Sequence, residues 1–203
     1  NQRNKRLKDI AFQESLKSTL DVWDIQLARY GELIVKSRRM FLEEMNGIIE
    51  GIHGSITGGK ESIRLVYEPN AEEQTLLSRL TADRERDCRF KITSAGPHRD
   101  DVCVLVNGID IRRYGSQGQQ RTAALSLKLS EIYMIKKIVE DMPVLLLDDV
   151  LSELDSNRQN YLLNSIHEVQ TLITCTGLDD FVDRRFHISK IFKVIDGNVY
   201  NPS

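Results

Sequence analysis

The feature that most restricts the fold is a stripe of apolar residues that recurs at intervals of three and four over about thirty positions. Its members are Leu20, Trp23, Leu27, Tyr30, Ile34, Phe41, Met45, Ile48 and Ile52. This spacing is typical of one long helix that packs against another helix through a narrow face. Ser18 and Thr19 offer a capping box at its start. At about 1.5 Å per residue such a helix is about 45 Å long, so we expect a helical arm, paired with a helix that ends within residues 1–17.

After the arm the pattern alternates between strands and helices. Ile63–Tyr67 is alternating and β-branched, which predicts a strand, and a charged helix is expected over residues 71–88. Further elements are predicted as a strand at Asp101–Val106 with a turn at Asn107-Gly108, a helix over 117–140, a strand at Val144–Leu147 buried on both faces, a helix over 156–169, a strand over 171–175 and a hairpin around 196–198. The sequence therefore predicts an α/β fold preceded by a long helix.

Composition excludes several classes of protein. The chain has 203 residues, a formal net charge of −2, three cysteines without CxxC pairs and four histidines far apart in sequence. A disulfide scaffold and a zinc site are therefore not expected, and a reducing cytosol is the expected compartment. No apolar run reaches the ~20 residues of a membrane span.

The stretch GSITGGKES, residues 54–62, has the spacing of a phosphate-binding P-loop but not its context. A P-loop follows a strand, precedes a helix and carries Ser or Thr after its lysine. Here Glu61 follows Lys60, a helix precedes the stretch and a strand follows it. We interpret these residues as a glycine-rich connector.

A second glycine-rich run, YGSQGQQRTAALSLKLSE at residues 114–131, leads into a long helix. Ser116 and the amides of Gln117 and Gly118 would stand at the helix N-terminus, where free N–H groups and the helix dipole attract anions. An N-cap serine with glycines that reverse the chain explains the same residues equally well.

The stretch PVLLLDDVLSELD, residues 143–155, places two adjacent carboxylates at the end of an apolar strand. In an NTPase, Asp148 would hold Mg²⁺ and Asp149 would orient or deprotonate the attacking water. Two solvated acids in a loop are the alternative.

Together these residues resemble the ABC/SMC-type ATPase head, specifically its C-terminal lobe. The resemblance implies that Ser116, Gly118 and Gln119 belong to the signature motif and contact the γ-phosphate of ATP bound by a second protomer. It implies that Asp148 and Asp149 end the Walker B strand, and that Ser152 and Asp155 belong to the D-loop. Thr176, or alternatively Thr174 or Cys175, would sense the γ-phosphate from the switch strand.

Within that superfamily, SAGPHRDD, GSQGQQRT, LLLDDVLSELD and QRNKRLK are similar to the RecF family of bacterial recombination-repair ATPases. The resemblance implies cofactors ATP and Mg²⁺, an ATP-dependent homodimer, gapped or junction DNA as ligand, a RecR-like recombination mediator as partner, no membrane and a bacterial cytoplasm. It further implies that a P-loop lobe precedes residue 1, so this chain alone is expected to be inactive as an ATPase. We expect an arm at 1–60, a linking segment at 61–93 and an ATPase lobe at 94–203.

Charged groups leave two questions open. Candidate DNA-binding cations are Arg3-Lys5-Arg6-Lys8, Arg38-Arg39 and Arg184-Arg185, although such runs are more often solvated faces. His98-Arg99-Asp100 could contact nucleotide, DNA or the other lobe. A turn with a buried Arg–Asp pair is the reading that we favour.

Two other functions fit parts of the pattern. A transporter ATPase subunit would share the signature and Walker B features, but it usually has a short helical subdomain before the signature. A non-catalytic interaction module would bind a partner protein or DNA and never nucleotide.

Overall fold

The computed structural model describes residues 2–151, 154–166, 169–176 and 188–200. Its contacts divide the chain into two compact units, Asn1–Met134 and Ile135–Ser203. Neither predicted boundary, at residue 60 or at residue 93, coincides with this division. The division into three domains therefore stays a prediction.

A single long helix organises the first unit. Helix α1 (Gln2–Ile10) and a 3₁₀ segment (Glu14–Thr19) lead into helix α2 (Leu20–Thr57) of 38 residues. The predicted start at Leu20 is confirmed, but the capping box is not formed. The hydroxyls of Ser18 and Thr19 donate backwards to the carbonyls of Ser15 and Leu16 instead, because the 3₁₀ segment already gives the chain a helical path into α2.

The buried face of α2 differs from the predicted stripe. Leu20, Met45 and Ile52 are buried, but Tyr30, Ile34 and Phe41 are exposed by 61%, 44% and 44%. The first third of the helix instead buries small or charged residues, among them Asp24, Ala28 and Gly31. A Cβ at Gly31 would lie 2.4 Å from Leu76 Cδ2 and 3.3 Å from Pro97 Cδ. Close approach of neighbouring segments thus selects small residues here, which a search for large apolar residues cannot detect.

A buried ionic network joins the start of α2 to its neighbours. The Arg3 guanidinium donates to Asp24 Oδ1 at 2.7 Å, Asp87 Oδ2 at 2.6 Å and Thr93 Oγ1 at 2.9 Å. Arg84 Nε donates to the other Asp24 oxygen at 2.7 Å. Since the side chains of Arg3, Asp24 and Asp87 are at most 2% exposed, this network fixes the base of the predicted arm.

The rest of the first unit packs a small antiparallel sheet against the second half of α2. The sheet has the order β1 (Ile63–Glu68), β2 (Asp101–Val106) and β3 (Ile109–Asp110). Asn107 and Gly108 both have positive φ and form the predicted two-residue turn. The predicted charged helix is two short ones, α3 (Leu76–Ala82) and α4 (Arg84–Phe90), which meet at Asp83.

Two further helices complete this region. Helix α5 (Ile111–Tyr114) directly follows the sheet, and helix α6 (Gln117–Val139) confirms the predicted long helix. One hydrophobic core joins α2, the sheet and α6, and its members are Met45, Ile49, Ile63, Leu65, Val106, Ile111, Ala123 and Met134.

The second unit contains a parallel strand pair. Strand β4 (Leu145–Asp148) pairs with β5 (Thr171–Thr174) in register, with helix α7 (Ser156–Ser165) between them in sequence. Burial on both faces of β4 was the expectation, and it is wrong for this structure. Leu147 is buried but Leu146 is 71% exposed, because among the described residues β4 has one neighbouring strand. A hairpin of β6 (Lys193–Ile195) and β7 (Asn198–Tyr200) ends the described chain as predicted.

No helix in the described ranges, α2 included, combines enough length and hydrophobicity to cross a membrane.

Candidate functional site

The P-loop-like stretch is the end of α2. Residues 54–57 are helical, and Gly58 and Gly59 follow with φ of +63° and +74°. Gly59 N donates to Gly54 O at 2.7 Å, which closes the helix end in the manner of a glycine cap. The prediction of a glycine-rich connector is therefore confirmed, and Lys60 is an exposed residue beyond the cap.

The signature segment begins with a tight turn after α5. A Cβ at Gly115 would lie 2.6 Å from the carbonyl oxygen of Ile111, so only glycine fits there. Ser116 Oγ accepts from Gln119 N at 3.2 Å, and Gln119 Oε1 accepts from Ser116 N at 3.1 Å. This reciprocal pair is a capping box, and it starts α6. Both explanations of Ser116 remain compatible, since an N-cap hydroxyl keeps its own proton for another acceptor.

The first turn of α6 has room for an anion. Within the described ranges, neither Gln117 N–H nor Gly118 N–H has a hydrogen-bond partner. A Cβ at Gly118 would meet only Ser116 Oγ, at 3.9 Å. Two free N–H groups beside an open glycine are suited to close approach of a phosphate oxygen.

A residue that sequence reasoning did not place in the site contacts the signature. Gln119 Nε2 donates to Glu61 Oε1 at 2.9 Å. Glu61 is the residue that breaks the P-loop pattern, and its contact joins residues that are 58 positions apart. No periodicity or motif signals such a pair.

The candidate Walker B carboxylates lie at the carboxyl end of β4, beside the end of β5. Asp148 is the last residue of the strand, and Asp149 follows with φ of +50°. Both are exposed. A left-handed conformation is rare outside glycine, although Asp and Asn tolerate it better than most residues. Strained backbone at a strand end is common where a side chain must be held in a special direction.

Thr174 connects the two carboxylate residues. Its hydroxyl makes a short hydrogen bond to Asp148 Oδ1 and accepts from Asp149 N at 3.1 Å. Asp149 N also approaches Thr174 O at 3.1 Å. Among the three switch candidates, Thr174 is thus the residue in contact with the aspartates, whereas Thr176 shows no such contact in the described chain.

The candidate D-loop is described only in part. Ser152 lies outside the described residues, as does Glu153. Asp155 is the N-cap of α7, and its Oδ1 accepts from Asn157 N and Arg158 N at 3.1 Å each. Gln159 Nε2 donates to Leu151 O at 2.8 Å and to Leu154 O at 3.0 Å, which ties the segment to the same helix. A capping role accounts for Asp155 locally.

The two aspartates are better suited to Mg²⁺ that arrives bound to phosphates than to a metal ion held by protein ligands alone. Within the described residues no group of three or more His, Cys, Asp or Glu side chains could hold a metal ion. Mg²⁺ usually takes one or two carboxylates and completes its shell with waters and substrate phosphates. An exposed carboxylate at a strand end, here Asp148, meets that requirement.

His98-Arg99-Asp100 does not form the expected internal pair. Asp100 accepts from Arg38 Nη1 at 2.9 Å, from Asn70 N at 2.9 Å and from the Tyr67 hydroxyl. Its side chain is 3% exposed, whereas Arg99 is exposed. Burial and the bond to Asp100 raise the pKa of Tyr67 to about 12. Asp100 is therefore buried, but its arginine partner comes from α2 and has a side chain that is 47% exposed, so the expected buried pair is not formed.

Several candidate DNA-binding cations already pair with other groups of the protein. Arg3 is buried in the network described above, and Arg38 also donates to Pro97 O at 2.6 Å. Arg39 donates to Glu72 at 2.8 Å. Arg184 and Arg185 lie outside the described residues. Of the three basic runs, Lys5 and Lys8 are the simplest candidates for phosphate contacts, since Arg6 lies 3.8 Å from Asp9.

Curated proteins similar to this chain are named RecF. DNA replication and repair protein RecF of Lachnospira eligens is 57% identical over 203 residues, which are 99% of this chain and 56% of that protein. RecF of Clostridium perfringens strain 13 is 44% identical over 203 residues, which are 98% and 55% of the two chains. Almost the whole chain is thus similar to RecF proteins. It spans about half the length of the curated RecF proteins it matches, and no family model matches it.

Solved RecF structures agree in fold. The recombination mediator protein RecF with ATP, in the RecFOR pathway, matches 100% of this chain with a TM-score of 0.86 and 35% identity, over 55% of its own length. RecF with ATPrS matches with a TM-score of 0.84 and 36% identity. The expected fold, the C-terminal part of a RecF ATPase head with a long helix before it, is confirmed.

Proposed function

We propose that this chain is the signature-bearing and Walker B-bearing part of an ATP-dependent RecF protein that acts in bacterial DNA repair and recombination. The observation that carries the proposal is the match of the whole chain to RecF solved with ATP. The geometry adds support, since both carboxylates stand at one strand end and the first turn of α6 offers free N–H groups.

Asp148 and Asp149 act on nucleotide held by the same protomer. Asp148 would hold Mg²⁺, which neutralises charge on the phosphates. Asp149 orients the attacking water and accepts its proton. Thr174, through its bonds to both residues, keeps the pair at the strand end. Thr176, two residues beyond β5, would sense the γ-phosphate, and Ser152 and Asp155 would belong to the D-loop.

Ser116, Gly118 and Gln119 act on nucleotide held by the partner protomer. The Ser116 hydroxyl and the Gly118 N–H donate to γ-phosphate oxygens, while Gln119 maintains the cap that directs both groups. ATP thus favours the closed dimer because its γ-phosphate gains these contacts only there. The closed dimer clamps gapped or junction DNA and recruits a RecR-like mediator in the bacterial cytoplasm, and hydrolysis opens it.

Ser116→Arg in the intact protein tests the assignment in trans. We expect ATP binding by single protomers to stay within about twofold of wild type, because loss of an N-cap costs only ~1 kcal/mol of stability. ATP-driven dimerisation should be abolished, because an arginine side chain fills the space meant for the partner's phosphate. Tyr133→Arg, at an exposed position of the same helix, is the control. ATP-dependent dimers of Ser116→Arg in light scattering or sedimentation would refute the proposal.

A further inference from the structure

A chain of polar contacts runs from the buried end of α2 to the signature. His53 is fully buried, its Nδ1 lies 2.9 Å from Ser126 Oγ and its Nε2 lies 3.4 Å from Glu61 Oε2. The other Glu61 oxygen accepts from Gln119 Nε2 at 2.9 Å. The carboxylate therefore uses one oxygen toward the arm helix and the other toward the start of α6.

The contact from Glu61 selects one of the two orientations of the Gln119 amide. The capping box needs Oε1 of Gln119 to face Ser116 N. A flipped amide would direct its NH₂ group at that N–H and its oxygen at the Glu61 carboxylate, so both contacts would become repulsive. The carboxylate acceptor thus enforces the orientation that completes the cap around Ser116.

His53 is held in turn by the helix that it faces. Ser126 Oγ donates to Thr122 O at 2.8 Å, so its lone pairs are left to accept from Nδ1–H of His53. That bond fixes the ring plane. Nε2 lies 3.4 Å from Glu61 Oε2 and can donate to it only in the doubly protonated, charged ring. Thr122 Oγ1 in turn donates to Gly118 O at 2.7 Å. The contacts that begin at His53 and the contact of Glu61 with Gln119 therefore both reach the first turn of α6.

We propose that Glu61 is a positioning residue for the signature. Glu61 acts through Gln119 and keeps the Ser116 hydroxyl and the Gly118 N–H aimed at the partner's phosphate. The inference rests on the proposed function of the signature in trans. It assigns a role to the residue that makes the P-loop-like stretch unfit for a P-loop, and it ties the end of the arm helix to ATP-driven dimerisation.

The test compares isosteric variants of Glu61 in the intact protein. Glu61→Met fills the same space without an acceptor, whereas Glu61→Gln keeps one acceptor oxygen for Gln119. Lys60→Met, at the exposed neighbouring residue, is the control. ATP binding by single protomers, ATP-driven dimerisation and thermal unfolding are measured for each. Should Glu61→Met fail to fold, Glu61→Ala replaces it.

Glu61→Met is expected to bind ATP normally and to dimerise on the order of tenfold more weakly per site, the effect of losing one hydrogen bond to a charged group. A head-to-tail dimer has two signatures, so the affinity of the dimer should fall by about a hundredfold. Glu61→Gln should stay near wild type. In a Gln119→Ala background Glu61→Met should cause no further loss, because its effect passes through the missing side chain.

Three results would overturn the inference. Dimerisation of Glu61→Met equal to that of Lys60→Met would show that the contact is only structural. Equal losses for Met and Gln would exclude the hydrogen bond as the cause, and a full additional loss in the Gln119→Ala background would exclude Gln119 as the route. If Ser116→Arg still dimerises with ATP, the proposed function fails first. If Ser116→Arg is monomeric while Glu61→Met matches its control, only the positioning role fails.

Discussion

Asp148 and Asp149 can be separated by two neutral, isosteric substitutions in the intact protein. Asp148→Asn keeps an oxygen that can accept from the Thr174 hydroxyl, but it removes the charge that would hold Mg²⁺. Asp149→Asn removes the proton acceptor and keeps the backbone, because Asn tolerates the φ of +50° seen here. Alanine at the same position would add ~1–2 kcal/mol of backbone strain and confuse the result.

The two variants are expected to fail at different steps. Asp148 is exposed, so an effective dielectric constant near that of water applies, and a carboxylate about 4 Å from Mg²⁺ contributes ~2 kcal/mol. Asp148→Asn should therefore weaken Mg²⁺-ATP binding about thirtyfold. Asp149→Asn should bind normally and hydrolyse ~10²–10⁴-fold more slowly, the usual effect of a lost general base, which corresponds to ~2.7–5.5 kcal/mol in the barrier.

Nucleotide affinity and single-turnover hydrolysis, measured on the same preparations, distinguish these outcomes. Asp149→Asn should also prolong the ATP-bound dimer on DNA, because hydrolysis is what opens it. Glu50→Gln, on the exposed face of α2, is a charge-matched control. Equal losses of affinity in Asp148→Asn and Asp149→Asn would refute the division of labour. Wild-type behaviour of both would mean that they are two solvated acids.

Two further predictions concern the chain on its own. The stretch with P-loop spacing is helical over residues 54–57 and lacks a P-loop's context, so we expect no phosphate release above that of an Asp149→Asn control. Turnover above that control would contradict the assignment. Arg3→Leu should lower the free energy of unfolding by ~3–5 kcal/mol in urea titrations, since it leaves Asp24 and Asp87 charged and buried. Arg6→Leu, whose pair with Asp9 is exposed, should change it by ~0.5 kcal/mol or less, and similar values for the two variants would refute the network's role.

Local signals in the sequence predicted most elements of the fold. The strand Asp101–Val106, the Asn107-Gly108 turn and the start of α2 lie where propensity and turn chemistry place them. These features depend on residues within a few positions of one another, so a single sequence contains them. The Asp148-Asp149 pair is likewise visible as a strand that ends in two acids.

Contacts between distant residues were not predictable in the same way. Asp100 was expected to pair with its neighbour Arg99, but it pairs with Arg38, 62 positions away. Glu61 was read only as a departure from a P-loop, and its bond to Gln119 leaves no periodic trace. The face of α2 was misjudged for a related reason, since close packing at Gly31 favours the absence of a side chain.

Helix α2 is fastened near both ends, at Asp24 by the Arg3 network and at His53 by Ser126. Each residue of an α-helix turns the chain by about 100°. Insertion or deletion of one residue between these two points would therefore rotate one set of contacts away from its partners. Only changes of about seven residues restore the phase to within ~20°. Length variation along this stretch of the helix should accordingly occur in steps of about two turns, whereas loops such as residues 69–75 have no such restriction.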